Sequence, residues 1–100
     1  MDHSPPTKAP LEIVKSRQFR KGYKRAIGND ASKEADLREV LESLVRRIPL
    51  DQSKKDHPLK GRLKGFRDCH VRPDLVLVYR VEDDTFLRLH RIGSHSELGF

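Results

Sequence analysis

The sequence contains no tryptophan, one cysteine, and only 6% aromatic residues. A single cysteine, Cys69, excludes an intrachain disulfide and leaves a cysteine-based zinc site without most of its ligands. We expect Cys69 to be a small, semi-buried residue on a strand. With few large side chains available, the core must be thin, which favours a small sheet covered on one face by helices.

Long hydrophobic runs are also missing. The longest apolar stretch covers residues 75–79, far short of the roughly 20 residues that span a bilayer, and the N-terminus lacks the basic-then-apolar layout of a secretory signal. We therefore expect a cytoplasmic protein with no membrane partner. Residues 1–10 hold three prolines and no periodicity, which predicts a flexible tail before a single domain at residues 11–100.

Acidic residues are fewer than basic ones. Fifteen Asp and Glu stand against 21 Lys and Arg, a formal net charge of +6. Such a balance favours a polyanionic partner, and nucleic acid, an acidic protein or an anionic membrane surface would each fit.

Hydrophobic spacing predicts two helices after a short first strand. The strand begins at Leu11, with Leu11 and Ile13 on one face. Residues 17–27 carry one apolar stripe on a basic helix that ends at Gly28. Residues 34–48 carry a broader stripe, with pairs of opposite charge four residues apart, and Pro49 ends the helix. We predict an antiparallel helix hairpin lying across a sheet.

Three further strands are predicted at residues 62–69, 74–81 and 85–92, the last two joined by a hairpin turn. Residues 75–79 are apolar without alternation, which indicates a central strand buried on both faces. The fold class is therefore α+β: a small, mainly antiparallel sheet with an N-terminal two-helix hairpin packed on one face.

Three histidines, His57, His70 and His95, lie at loops or strand ends, where catalytic groups are commonly placed. If their strands are neighbours, His70, Asp74 and the segment after Gly93 reach one end of the sheet. The basic residues around them are Lys60, Lys64, Arg67, Arg72, Arg80 and Arg91. Histidines titrating near neutrality among cations suit RNA cleavage without a metal, which needs a base, an acid and positive charge on the phosphorane.

Each of these residues also has a structural interpretation. A histidine at a strand end is more often a surface or hydrogen-bonded residue than a catalyst, and basic clusters are usually solvated faces. Metal binding is the sharper alternative, since His57, His70, Asp74 and His95 are ligand types that zinc accepts. They lack a recognised tight spacing, however, and the surrounding positive charge opposes a divalent cation.

The segments "KDHPLKGRLKGFRDCHVRPDLVLVYRV" and "FLRLHRIGSHSEL" closely resemble the YafQ-like branch of the RelE/ParE toxin superfamily. The matching motifs are D-H-x-L-x-G, G-x-R-D-x-H-v-x-P-D, the apolar strand ending in Tyr, and R-x-G-[ST]-H-x-x-L. The resemblance implies a RelE-like fold and an mRNA interferase, an endoribonuclease of a type II toxin-antitoxin module. It implies cleavage on the translating ribosome, inhibition by a cognate antitoxin and no cofactor.

By the same resemblance, the active-site positions fall on His57, His70, Asp74 and His95. We expect His95 and His70 to share acid-base catalysis, His57 to contact phosphate or assist proton transfer, and Asp74 to orient a histidine or relay a proton. Contacts to the substrate or its phosphate are expected from Arg91, Lys64, Arg67 and Phe100. The chain departs from the family in having Leu75 where relatives place Trp, and Gly99 before the terminal aromatic.

Two other functions remain open from the sequence. A ParE-like toxin would inhibit DNA gyrase and need no nuclease site. A non-enzymatic nucleic-acid-binding module would act through charge, and its affinity would fall steeply with salt.

Overall fold

The computed structural model describes residues 8–100. Its helices and strands, in chain order, are β1 Glu12–Lys15, α1 Arg17–Ala26, α2 Ala31–Val45, β2 His57–Pro58, β3 Arg67–Arg72, β4 Leu75–Glu82, β5 Phe86–Gly93 and α3 His95–Leu98. Two 3₁₀ turns, Gln52–Lys54 and Gly61–Leu63, lie in the connection between α2 and β3.

The strands form one sheet in the order β1-β5-β4-β3-β2. Only β1 is parallel to its neighbour, β5, and the other three pairings are antiparallel. The prediction of a mainly antiparallel α+β fold with β4 at its centre is confirmed. A bulge in β5 leaves His90 as the extra residue between the pairs Val78 with Arg91 and Tyr79 with Leu89.

Local capping explains where the two long helices begin. The Ser16 hydroxyl accepts a bond from the Phe19 amide at 2.9 Å and starts α1, while the Asp30 carboxylate accepts from two amides and starts α2. Because Asp30 is the cap, α2 begins three residues earlier than predicted. It also ends three residues earlier, at Val45 and not just before Pro49, since Arg47 adopts a left-handed φ of 61°. Gly28, at φ 54°, makes the left-handed turn that the tight connection requires.

Both faces of the central strand are buried, by different partners. The main core lies between the sheet and the helices, and it includes Phe19, Leu37, Leu77 and Leu87. Cys69 lies on a strand as predicted, but it is fully buried there and not semi-buried. On the opposite face, which we call the open face, Val76 and Val78 of β4 pack only against the smaller cover that Leu59, Phe66 and Leu98 provide.

One strand prediction is wrong, and two short elements were not predicted. The strand predicted at residues 62–69 begins only at Arg67 and extends to Arg72, because residues 61–63 form a 3₁₀ turn. The two-residue β2 and the four-residue α3 are too short to show a periodicity. On the edge strand β1, Ile13 is 41% exposed, whereas Leu11, just before the strand, is 5% exposed.

The predicted flexible tail lies outside the described residues except for its last three. Of these, Lys8 bonds Asp84 at 3.2 Å, and the Ala9 carbonyl accepts from Arg47 at 3.1 Å. Within residues 8–100, none of the helices has the length and apolar character that crossing a bilayer demands.

Candidate active site

His57 lies on β2, a strand of only two residues that depends on contacts outside the strand to stay in position. In the strand register His57 lies opposite Asp68 of β3, so both side chains are on the open face. The preceding Asp56 faces the other way, and its Oδ1 accepts bonds from the Tyr79 hydroxyl at 2.7 Å and Arg67 Nε at 3.1 Å. We call this group the Asp56 clamp; it ties the loop to β3 and β4 directly beside His57.

The orientation of the His57 ring is set by a backbone carbonyl. Its Nδ1 lies 2.7 Å from the Lys55 carbonyl oxygen. Since a carbonyl only accepts, Nδ1 carries the hydrogen of this bond, and Nε2 is left for the substrate.

Asp68 is a buried carboxylate next to the histidines. Its Oδ1 lies 3.2 Å from Nδ1 of His57 but outside hydrogen-bonding geometry, and it has no hydrogen-bond partner in the described residues. Burial raises the pKa of Asp68, while the charges of His57, His70 and His95 act in the opposite direction. As a carboxylate, Asp68 would place a negative charge beside the histidines of the open face.

His95 is fixed by Asp74 and by the start of α3. Ser94 and Glu97 form a capping box around the first turn, with Ser94 N donating to Glu97 Oε1 at 2.8 Å. Asp74 Oδ1 accepts from the His95 amide at 3.0 Å and lies 2.7 Å from Nδ1 of its ring. These bonds, the amide bond first, lower the pKa of Asp74. The ionised carboxylate therefore holds Nδ1 protonated and directs Nε2 away from itself.

His70 on β3 meets His95 edge to face. Their ring centroids are 5.0 Å apart and their planes are inclined by 68°. Burial lowers the pKa of His70, and the charge of His95 lowers it further. His70 is thus neutral at neutral pH and able to accept a proton.

An open cavity of about 540 Å³ lies beside these two rings. Lys54, Lys55 and Arg72 border it together with His70 and His95. Arg72 is held in position by Asp36, with Nε to Oδ2 at 2.6 Å, and by the Ser32 hydroxyl. The cavity thus offers two titratable imidazoles among cations, an arrangement able to take an anionic substrate.

The four residues predicted to contact substrate are placed differently from one another. Arg91 pairs with Val78 and therefore lies on the open face. The Phe100 ring is 46% exposed, and its backbone amide bonds the His95 carbonyl at 2.9 Å because Gly99 turns the chain back. Arg67 is engaged in the Asp56 clamp on the other side of the sheet, and Lys64 is exposed in the loop before β3. The structure does not bring these last two to the histidines.

Sequence reasoning missed Asp56, Asp68 and Tyr79 as residues of the site. All three stand in the quoted motifs, but only their neighbours were given roles. Only Asp68 could have been found from the sequence. It lies two residues before His70, so strand alternation places the two side chains on the same face once β3 is assigned to the correct residues.

No group of three or more His, Cys, Asp or Glu in residues 8–100 is arranged to hold a metal ion.

Comparison with known proteins identifies close relatives. Residues 11–99 match the model of a family described as the bacterial toxin of a type II toxin-antitoxin system, YafQ. The mRNA interferase toxin YafQ of Escherichia coli K12 is 38% identical over 89 residues, covering 87% of this chain and 94% of that protein.

Two solved structures share the fold. YafQ in the E. coli DinJ-YafQ complex is 37% identical, with 88% of this chain and 97% of that chain covered and a TM-score of 0.76. A metal-bound toxin from Helicobacter pylori is 46% identical, with 88% and 98% covered and a TM-score of 0.76. The resemblance stated from the sequence motifs is confirmed.

Proposed function

Because the chain belongs to the YafQ family of bacterial toxins from type II toxin-antitoxin systems, we propose that it cleaves mRNA by histidine acid-base catalysis without a metal. It is an enzyme, an endoribonuclease of the mRNA interferase class that its curated relatives represent. The observation that carries the proposed mechanism is the contact of His70 with His95, 5.0 Å between ring centroids, beside a cavity bordered by cations.

In this mechanism His70 is the general base and His95 the general acid. The lowered pKa of His70 leaves its imidazole neutral, as removal of the 2′-hydroxyl proton requires. His95, bonded through Nδ1 to Asp74, donates a proton from Nε2 to the departing 5′-oxygen, and the Asp74 carboxylate balances the positive charge that His95 carries before the transfer. Asp74 acts as a positioning residue.

The surrounding cations stabilise the negative charge that develops on the phosphorane, and His57 contributes when its Nε2 also carries a proton. Arg72 and Lys55 border the cavity, Arg91 lies on the open face, and His57 presents Nε2 to the same face. Positive charge placed where negative charge develops is commonly the largest single contribution to such catalysis.

The proposed partners are mRNA, the ribosome and a cognate antitoxin, all met in the cytoplasm. The E. coli relative is solved as a complex with DinJ. In this chain the exposed side of α1 is strongly basic, with Arg17, Arg20, Lys21 and Lys24. An acidic or amphipathic antitoxin segment would lie over this helix or over the sheet edge.

The test is cleavage of a reporter mRNA during in-vitro translation, mapped by primer extension. His95→Ala should lower the cleavage rate by about 10²- to 10⁴-fold, the usual contribution of a general acid. Arg38→Gln, on the exposed side of α2, is the matched control and should cleave like wild type. Metal independence is tested on naked RNA with EDTA, since EDTA dismantles ribosomes.

Other outcomes would support the two alternative functions. Translation lost without any cut, and equally in wild type and His95→Ala, would contradict the nuclease mechanism. Gyrase inhibition by both proteins would then favour a ParE-like toxin. Binding that survives histidine substitution and falls steeply with salt would favour a non-enzymatic module.

The Asp56 clamp provides a second prediction. Asp56→Ala should reduce the cleavage rate by up to about 10²-fold without abolishing folding, because a displacement of roughly 1 Å in a catalytic group costs that much. Tyr79→Phe removes one hydroxyl, keeps Arg67 on Asp56, and should have a smaller effect. The measurement is single-turnover cleavage alongside thermal unfolding. Equal rates for Asp56→Ala and wild type would show that the clamp does not position His57.

A further inference from the structure

A second group of side chains occupies the open face beyond the histidines. The Phe66 ring stacks on His90, with centroids 4.6 Å apart and planes inclined by 26°. The guanidinium carbon of Arg80 lies 4.4 Å from the centroid of the same ring. We call Phe66, Arg80 and His90 the Phe66 cluster. None of its members has a part in the proposed acid-base mechanism.

Two arginines in and beside this cluster have hydrogen-bond donors that are not in use. Arg80 and Arg88 are cross-strand partners, and both donate through Nε to Glu82, at 2.6 Å and 2.7 Å. One carboxylate therefore serves two guanidinium groups, whose terminal nitrogens make no hydrogen bond within residues 8–100. The local charge is net positive and faces away from the helices.

The His90 ring lies on this surface because it follows Arg88 by two residues in β5, and the bulge then places the next residue, Arg91, on the same face. Partial burial lowers the pKa of His90, and the charges of Arg91, Arg80 and Arg88 lower it further. At neutral pH the ring is therefore an uncharged, half-buried aromatic surface between cations.

The strand register connects the Phe66 cluster to the catalytic histidines. His70 lies opposite Val76, Arg91 opposite Val78, and Arg88 opposite Arg80. Four residues along β4 correspond to about 13 Å at the usual rise per residue. A strand of RNA with its scissile phosphate at His70 would pass Arg91 and the side chains that cover Val76 and Val78, and reach Arg80 on the same face of the sheet.

We propose that the Phe66 cluster is a nucleotide subsite for the substrate RNA, in which the His90 ring and the Arg80 guanidinium plane stack on a base and Arg88 binds a flanking phosphate. Aromatic rings and guanidinium planes are the groups on which unpaired bases stack in RNA-binding proteins. An acidic protein segment would use the arginines but would gain nothing from the stacked ring. The inference rests on the proposed function, because it takes RNA as the substrate.

The experiment measures binding of a fluorescent, fully 2′-O-methylated RNA dodecamer by the full-length wild-type chain. This strand lacks the attacking 2′-hydroxyl and cannot be cut. His90→Ala should weaken binding by about 5- to 150-fold, the range for losing one base stack, whereas His90→Phe should retain it. An otherwise identical strand with abasic sites should bind His90→Ala and wild type equally.

Arg88→Gln reports on the phosphate contact. It should weaken binding of both strands and reduce the slope of affinity against salt by about one released counterion. Arg38→Gln on α2 is the matched control and should leave both unchanged. Thermal unfolding of every variant separates lost binding from lost folding.

Several results would overturn the subsite. These are wild-type affinity in His90→Ala, equal losses on the base-containing and abasic strands, or no binding of either strand by wild type at low salt. The proposed function fails separately. If His90→Ala loses affinity but wild-type cleavage does not depend on His95, the subsite stands and the nuclease mechanism falls. If cleavage depends on His95 and His90→Ala binds normally, the reverse holds.

Discussion

His70→Ala is expected to lower kcat/KM for RNA cleavage by about 10²- to 10⁴-fold, the contribution that a general base normally makes. Burial lowers the pKa of His70, and the charge of the neighbouring His95 lowers it further. Loss of His70 would leave the 2′-hydroxyl proton without the acceptor that the cavity provides beside His95.

The pH profile distinguishes this role from a structural one. A base acts only in its neutral form, so wild-type activity should fall as the pH drops through the pKa of His70. Because that pKa lies below the ordinary 6.5, the acidic limb should appear below pH 6.5, and wild type should stay active at that pH. In His70→Ala this limb should disappear along with most of the rate.

Single-turnover cleavage of naked RNA at high enzyme concentration, followed between about pH 5 and pH 8, gives both the cleavage rate and the position of the acidic limb. Added imidazole should restore part of the activity of His70→Ala by entering the vacated space. An acidic limb that persists in His70→Ala would assign the base to another residue, and His57 would be tested next.

Gly22→Ala is expected to destabilise the fold by about 2 kcal/mol. Gly22 lies in α1 against β5, where an added Cβ would stand 2.2 Å from the Ile92 carbonyl oxygen. That contact is with backbone held in the sheet, so relieving it means moving the helix off β5. Overpacking of this kind costs up to about 3 kcal/mol, while the better helix propensity of alanine returns about 1 kcal/mol.

For a domain of this size the melting temperature should fall by roughly 8–16 °C. Thermal and urea unfolding measure the change, with Gln18→Ala on the exposed side of α1 as the control for helix propensity. A Gly22→Ala protein as stable as the Gln18→Ala control would mean that α1 shifts without cost and that its close packing on β5 is not required.

The helices and the central strand could be predicted because their signals are local and repeated. The stripe that includes Leu37, Val40 and Leu44 recurs at helical spacing, and all three residues are buried in the main core. The unbroken apolar run of residues 75–79 likewise marks β4 as central. Each pattern spans two or more turns or several strand positions, so single exceptions do not obscure it.

The elements that support the site carry no such repetition. His57–Pro58 is a strand only because β3 pairs with it and the Asp56 clamp anchors its start. The spacing of Ser94 and Glu97 is that of a capping box and can be recognised in the sequence. A helix of four residues is too short, however, to show the hydrophobic periodicity that would confirm it. Their existence depends on contacts between residues far apart in the chain.

The sequence by itself determined the α+β class, the positive charge and, through its motifs, the family. It also supplied the four proposed site residues His57, His70, Asp74 and His95. Only the tertiary structure decided which basic residues share their face: Arg91 lies on the open face, whereas Arg67 is on the opposite side, bonded to Asp56. It also placed His90 and Arg91, neighbours in the chain, on the same face through the bulge in β5. The physical reason is that side-chain direction on a strand reverses at every residue, so a bulge or a boundary shifted by one residue, neither of which leaves a local signal, changes the face that a side chain occupies.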